Sequence, residues 1–357
     1  MSLFGELILI SIGKRNAFSR MPSEDDWQAM FREAQRQSLV GVLLTGVEKA
    51  IAMGAPKPLF LMKWIGLSLS VEQRNRLLNV RCKEITEIFK REGLRSCVLK
   101  GQGVASLYPY PLRRQSGDID LWVDGKRDDI YRFLKRRWKV GNTVIHHADV
   151  EIFNDAPTEI HFLPSFAYSP LRHLRYKRFF KRYADLQFAH YDEKLGFAYP
   201  EEVFNAVYSL IHIFHHVLHE GIGLRQLMDY YYILCHLNDD QRGKSWLEIK
   251  HLGLGRFAAA VMYVQQRIFE LEDDYLLCEP NVKLGRMLLT EIMRSGNFGH
   301  YDARNREVNR QSKLSVYWHN VSRNVIFFRF APSEVFFAPF WKPCHFLWRV
   351  MKKYRRI

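Results

Sequence analysis

From Asp25 to Gly93 apolar residues recur at helical spacing. Trp27, Met30, Phe31 and Ala34 mark one face, and after Pro58 the run Leu77, Leu78, Ile85, Ile88 and Phe89 carries the pattern to Gly93. Between Ser96 and Leu163 the period drops to two in short runs, SCVLK, DIDLWV, VGNTVI, DVEIF and TEIHFL, with one helix, DDIYRFLKRRW, among them. The turn-forming NDAPT between the last two runs predicts an antiparallel hairpin. From Pro200 onward helical spacing returns in VFNAVYSLIHIFHHVLH, LRQLMDYYYILCHL, RFAAAVMYVQQRIFEL and VKLGRMLLTEIM. The pattern predicts an α+β chain in three parts: a helical N-terminal section over 1–93, a compact α/β module over 94–190, and a mainly helical domain over 191–357 that ends in a basic aromatic tail.

The chain has 357 residues, 47% hydrophobic and 25% charged, an ordinary globular balance that excludes collagen-like, disordered and coiled-coil classes. The net charge of +15 points to an anionic partner: nucleic acid, an acidic membrane surface or a phosphorylated small molecule. The excess is local. Residues 172–183 carry 6 cations and no anion, residues 301–357 carry 12 cations against 3 anions, and the remainder cancels. The 5 cysteines include no CxxC pair, which fits reduced thiols and gives no zinc motif. The N-terminal MSLFGELILISIGK has no basic residue ahead of its apolar run and carries Glu6, so no signal peptide is expected. Val203–His219, the longest stretch without Asp, Glu, Lys or Arg, holds 4 histidines and is a poor membrane span. A cytoplasmic protein is expected, one that can touch the inner face of the membrane.

The chemistry-bearing stretch is VLKGQGVASLYPYPLRRQSGDIDLWV, residues 98–123. In an extended strand Asp118 and Asp120 share a face, with Cα atoms roughly 6.6 Å apart, while Ile119, Leu121 and Val123 face the other side. Two like charges so placed repel, and a divalent cation between them offsets the repulsion. Magnesium is the natural candidate; a solvated strand end is the plain alternative. Upstream, a strand runs into Lys100, Gly101 and Gly103 before VASLY starts a helix, a turn that can offer backbone N–H groups and a cation to phosphates. Arg114 can reach a phosphate from the following loop.

The run LKG…LYPYPLRRQSGDIDLWV, followed by TEIHF and then GLRQLMDYYYIL, resembles an uncharacterised bacterial nucleotidyltransferase family with the patterns LKG, Y-P-x-P, R-x-x-G-D-[IL]-D-L and E-[IL]-H. That family lies within the polymerase-beta-like nucleotidyltransferase superfamily, and the likeness spans about residues 96–240. It implies a nucleotidyltransferase-type mixed sheet with flanking helices, and transfer of NMP from an NTP to an acceptor by a two-magnesium mechanism. Asp118 and Asp120 become the paired metal ligands and Glu159 the third carboxylate; Asp149 and Glu151 compete for that third place on spacing alone. The superfamily also implies a Gly followed by Gly or Ser about a dozen residues ahead of the first Asp. Here Gly101 is followed by Gln102, and 15 residues separate Gln102 from Asp118.

His161, Arg225 and Asp229 are candidates for an acceptor pocket, the last two at i, i+4 where an intrahelical ion pair is the alternative. His212, His215, His216 and His219 have metal-capable helical spacing without a zinc pattern, so a polar pocket wall is the expected reading. The segment RHLRYKRFFKRY, 172–183, has the composition of a single-strand nucleic-acid contact, a mobile shielding loop or a basic surface helix. The tail, 336–357, suits either an amphipathic element at an anionic membrane or a terminal helix packed on the core.

Overall fold

The structure, a computed structural model, describes residues 2–302, 321–322 and 324–354. Four helices come first: α1 (Leu3–Ser11), α2 (Glu24–Arg36), α3 (Val40–Ala52) and α4 (Leu61–Arg91). The α/β part follows: β1 (Ser96–Leu99), α5 (Gly101–Ala105), β2 (Ile119–Val123), α6 (Arg127–Arg137), β3 (Val140–Thr143), β4 (His147–Val150) and β5 (Thr158–His161). Beyond it lie α7 (Pro170–Ala189), a small ladder of β6 (Tyr191–Asp192) and β7 (Phe197–Ala198), then α8 (Glu202–His219), α9 (Leu224–His236), α10 (Asp239–His251), α11 (Gly255–Phe269), α12 (Val282–Ser295) and α13 (Pro332–Tyr354).

Local signals set several boundaries. The Ser23 side chain caps α2 reciprocally with Asp26 in a capping box, Asn238 does the same with Gln241 for α10, and α4 stops at Gly93, whose φ of +72° ends the helical path. Ahead of Asp25, where no helical period was read, the N-terminal apolar run is also a helix. Leu7, Ile8, Leu9 and Ile10 are fully buried, so α1 is a core element of the helical body.

The main sheet has the order β1-β2-β5-β4-β3. Only β2 and β5 run parallel; β1 with β2, β4 with β5 and β3 with β4 are antiparallel, which makes the sheet mixed and includes the expected hairpin. Its two faces have different neighbours. Val98, Ile119, Leu121, Val123, Val150 and Ile160 pack on Leu78, Cys82, Ile85 and Phe89 of α4 and on Ile130 and Leu134 of α6. On the opposite face Cys97, Leu99 and Trp122 join the larger core built by helices from both ends of the chain, with Trp122 stacked 5.8 Å from Phe204 of α8. Period two thus puts alternate residues of β2 into one core and leaves Asp118 and Asp120 on the side that faces α8 and α9.

Candidate active site

β1 leads into a strained turn. Lys100 has φ 55°, rare for a residue with a side chain, and Gly101 follows at φ +44°, where glycine carries no such penalty. The turn sets the Lys100 ammonium 2.9 Å from Asp120 Oδ2. Asp120 and Glu159 are Cα partners across the parallel β2/β5 pair, and Asp118 precedes β2 on the same face. The three carboxylates offer ligand oxygens within 4.8 Å of one another. Asp120 is buried, Glu159 half-buried and Asp118 exposed.

The charges are unevenly compensated. Burial alone would raise the Asp120 pKa, but Lys100 and the hydrogen bond to His161 outweigh it and hold this carboxylate well below the usual range. Asp118 has no such partner: the charge on Asp120, reinforced by desolvation and only partly offset by Lys100, pushes it up to about 7. Burial also opposes ionisation of Glu159, yet His161 brings its pKa below the ordinary value. One carboxylate of the three therefore lacks a counter-charge. Hard oxygen donors with excess negative charge fit a magnesium ion, which prefers carboxylate and phosphate oxygens.

His161 lies under the carboxylates, with Nε2 2.8 Å from Asp120 Oδ1 and 3.5 Å from Glu159 Oε2. Burial lowers its pKa, but these two partners win and raise it to about 9. His147, its Cα partner on β4, goes the other way: burial and the neighbouring His161 push it down to about 4. The competing acids of the hairpin separate clearly. Asp149 pairs in register with Glu159 and lies 3.6 Å from His147 Nε2, whereas exposed Glu151 bonds Lys139 at 2.7 Å.

These groups open onto a cavity of about 490 Å³ between the sheet and helices α8 and α9. Arg225 and Asp229 both line it. Asp229 is held by a bidentate fork from Arg114, at 2.7 and 2.8 Å, and by the Tyr108 hydroxyl at 2.6 Å, while Arg225 donates to the Gln115 carbonyl at 2.9 Å. Asp229, for which an ion pair within the helix was the alternative to a pocket position, thus takes its fork from a loop 115 residues earlier. Arg114 is itself 3% exposed. Gly101 lines the cavity, but Gly103 serves packing: a Cβ there would lie 2.8 Å from Tyr199 Cβ. Gln102 turns away, its amide reaching Asn79 Oδ1 and the Asn75 carbonyl of α4.

His212, His215 and His216 form a wall of the cavity, and no metal-capable group among the described residues includes them. His215 stacks on His219, their ring centroids 3.8 Å apart. Sequence reasoning missed His146 and His147, which line the same cavity. The signal was the HH pair opening a period-two run, but the run read from Asp149 began two residues too late.

The segment 172–183 belongs to the surface helix α7, not to a loop. Tyr176, Phe179 and Phe180 are 1% exposed, so these rings are not available to stack on bases, and this corrects the single-strand reading of the aromatics. Arg172 is buried against Glu334 of α13 at 3.1 Å, and Arg182 pairs with Glu248. Trp341 of α13 stacks on Phe166 at 5.6 Å. The last three residues of the tail, 355–357, lie outside the described residues. Among the described residues no helix is long and apolar enough to cross a membrane.

The fold thus carries an acidic trio on the face of a mixed sheet that turns toward a helix-walled cavity. Residues 23–270 match the family described as uncharacterised nucleotidyltransferase, and the chain belongs to that family. Membership supports transfer of a nucleotidyl group from an NTP as the general reaction class. No curated protein matches the chain.

Proposed function

We propose that the chain is a magnesium-dependent nucleotidyltransferase that moves NMP from an NTP to a hydroxyl or amine of an acceptor. The observation that carries this reading is the placement of Asp118, Asp120 and Glu159 on one sheet face, their oxygens within 4.8 Å of one another, at the mouth of the cavity. In the reaction the acceptor oxygen or nitrogen bonds to the α-phosphorus while the bond to the leaving pyrophosphate breaks. Two magnesium ions, held by these three carboxylates, would supply the charge that stabilises the attacking and leaving oxygens.

The chain's own residues have separable tasks. Lys100, with Gly101 and Arg114, forms the proposed triphosphate side; Lys100 neutralises Asp120 before substrate arrives and can share its charge with a phosphate afterwards. Glu159 takes the acceptor proton or holds the metal that acidifies it. His161, Arg225 and Asp229 form the proposed acceptor side, and the Arg114–Asp229 fork ties the two sides together. In this division 94–190 is the catalytic module, and the helical segments 1–93 and 191–357 buttress it.

Gln102 favours a second reading. Where the superfamily pattern has a small residue whose backbone and hydroxyl meet the triphosphate, this chain has a side chain bonded into α4. A non-catalytic binding protein with the same fold, acting through its basic surface on RNA or an anionic membrane, follows from that difference. Pyrophosphate release from radiolabelled NTPs in a panel of sugar, aminoglycoside, protein and RNA acceptors separates the two. Release that needs magnesium and stops in Asp120→Ala supports the transferase. NTP-independent liposome or RNA binding without any release supports the alternative.

A further inference from the structure

We propose that His147, Glu159 and His161 bind a zinc(II) ion beside the all-oxygen site of Asp118, Asp120 and Glu159, with Glu159 shared between the two. The first argument is geometric. Zinc bonds to imidazole nitrogen and carboxylate oxygen are about 2.0–2.2 Å long, so two tetrahedral ligand atoms stand roughly 3.4 Å apart. Glu159 Oε2 lies 3.5 Å from His161 Nε2 and 3.7 Å from His147 Nε2. Those separations are too long for good hydrogen bonds and close to the edges of a coordination tetrahedron. All three ligand atoms lie within 4.8 Å of one another.

The second argument is the scaffold. His161 and His147 are Cα partners on β5 and β4, and Glu159 is two residues before His161, so all three side chains leave one sheet face. A site built on paired strands is already organised before the ion arrives. His147 Nδ1 lies 3.0 Å from His146 Nε2, the outer contact that fixes a ligating imidazole's orientation. Two imidazoles and a carboxylate with an open fourth position are also the donor set of catalytic zinc centres, whereas magnesium takes oxygen.

His161 Nε2 faces Asp120 Oδ1 at 2.8 Å, so a bound ion would displace the Nε2 proton donated to Asp120 and leave that carboxylate paired with Lys100. The ion would pin the Glu159 carboxylate and present its fourth position to a ligand in the cavity. The inference concerns ligands alone and stands whether or not the chain transfers nucleotides.

The test is equilibrium dialysis of the chelator-stripped full chain against zinc(II) or cobalt(II) in excess magnesium, with the visible spectrum of the cobalt form. One ion per chain is expected, with the intense absorption of four-coordinate cobalt. His147→Ala should weaken binding about tenfold or more, His146→Ala by about tenfold through the outer contact, and Asp118→Asn should leave it unchanged. Absence of stoichiometric binding, displacement by magnesium, or six-coordinate cobalt bands overturns the proposal. Loss in Asp118→Asn, or no change in His147→Ala, does so as well. If His147→Ala fails to fold by circular dichroism, the His146→Ala affinity and the wild-type cobalt spectrum decide.

Discussion

Asp120 and Glu159 are Cα partners on adjacent parallel strands, so two carboxylates from residues 39 positions apart leave the sheet side by side. In that register Glu159 lies one strand from Asp120, and its rival Asp149, the Cα partner of Glu159 on β4, lies one strand further. Glu159→Gln is expected to remove magnesium-dependent NTP binding, while Glu151→Gln, which breaks only an exposed contact with Lys139, should leave it within twofold. Isothermal titration of both variants checks this, and equal effects would place the third ligand elsewhere.

Asp118 gives the site a pH dependence whose sign follows from its raised pKa of about 7. A proton and a metal ion compete for this carboxylate, so magnesium affinity should fall by up to about tenfold per pH unit below 7 and level off above it. Stability of the metal-free chain runs the opposite way. Between the ordinary aspartate pKa of about 4 and 7 the folded state holds a proton the unfolded state has lost, so this group costs stability as pH rises through that window. Asp118→Asn should therefore melt higher than the wild type at pH about 8 in EDTA and nearly equal to it at pH about 4. Melting curves at the two pH values decide.

The Lys100 ammonium sits 2.9 Å from a nearly fully buried Asp120. Lys100→Met removes one partner of this pair and leaves Asp120 with His161 alone, which should cost roughly 3 kcal/mol in urea unfolding. Adding Asp120→Asn should recover part of that loss, because no uncompensated carboxylate is left.

Gly103 tests whether the glycines serve phosphate or packing. Its missing Cβ makes room for Tyr199, so Gly103→Ala should destabilise by about 1–3 kcal/mol through overpacking, and Tyr199→Gly, which removes the Cβ that clashes, should relieve the overpacking. A Gly103→Ala variant of full stability that loses NTP binding would return this glycine to the phosphate side.

How much was legible follows from what periodicity encodes. Alternation in DIDLWV gave the face of Asp118 and Asp120, because Ile119, Leu121 and Val123 must be buried, and the structure buries them. The hairpin of β4 and β5 was readable from NDAPT, since close pairing of neighbours needs only a turn. Strand order was not readable: the parallel pairing of β2 with β5 spans α6 and two strands, and alternation carries no label for a distant neighbour. The Arg114–Asp229 fork and the seat of Glu334 beneath α7 are hidden for the same reason, since each joins charges far apart in the chain. In RHLRYKRFFKRY the sequence shows cations and rings mixed, but only the helix phase reveals that Tyr176, Phe179 and Phe180 point inward. The tail remains open to a direct assay: deleting residues after Pro343 should abolish binding to anionic liposomes if α13 is a membrane element.

The most direct measurement is isothermal titration of the wild-type chain with ATP, GTP, CTP and UTP, with and without magnesium. The proposed function predicts binding of at least one NTP that requires magnesium and disappears in Asp118→Ala and Asp120→Ala. No binding of any NTP, or binding indifferent to magnesium and to both substitutions, would contradict it.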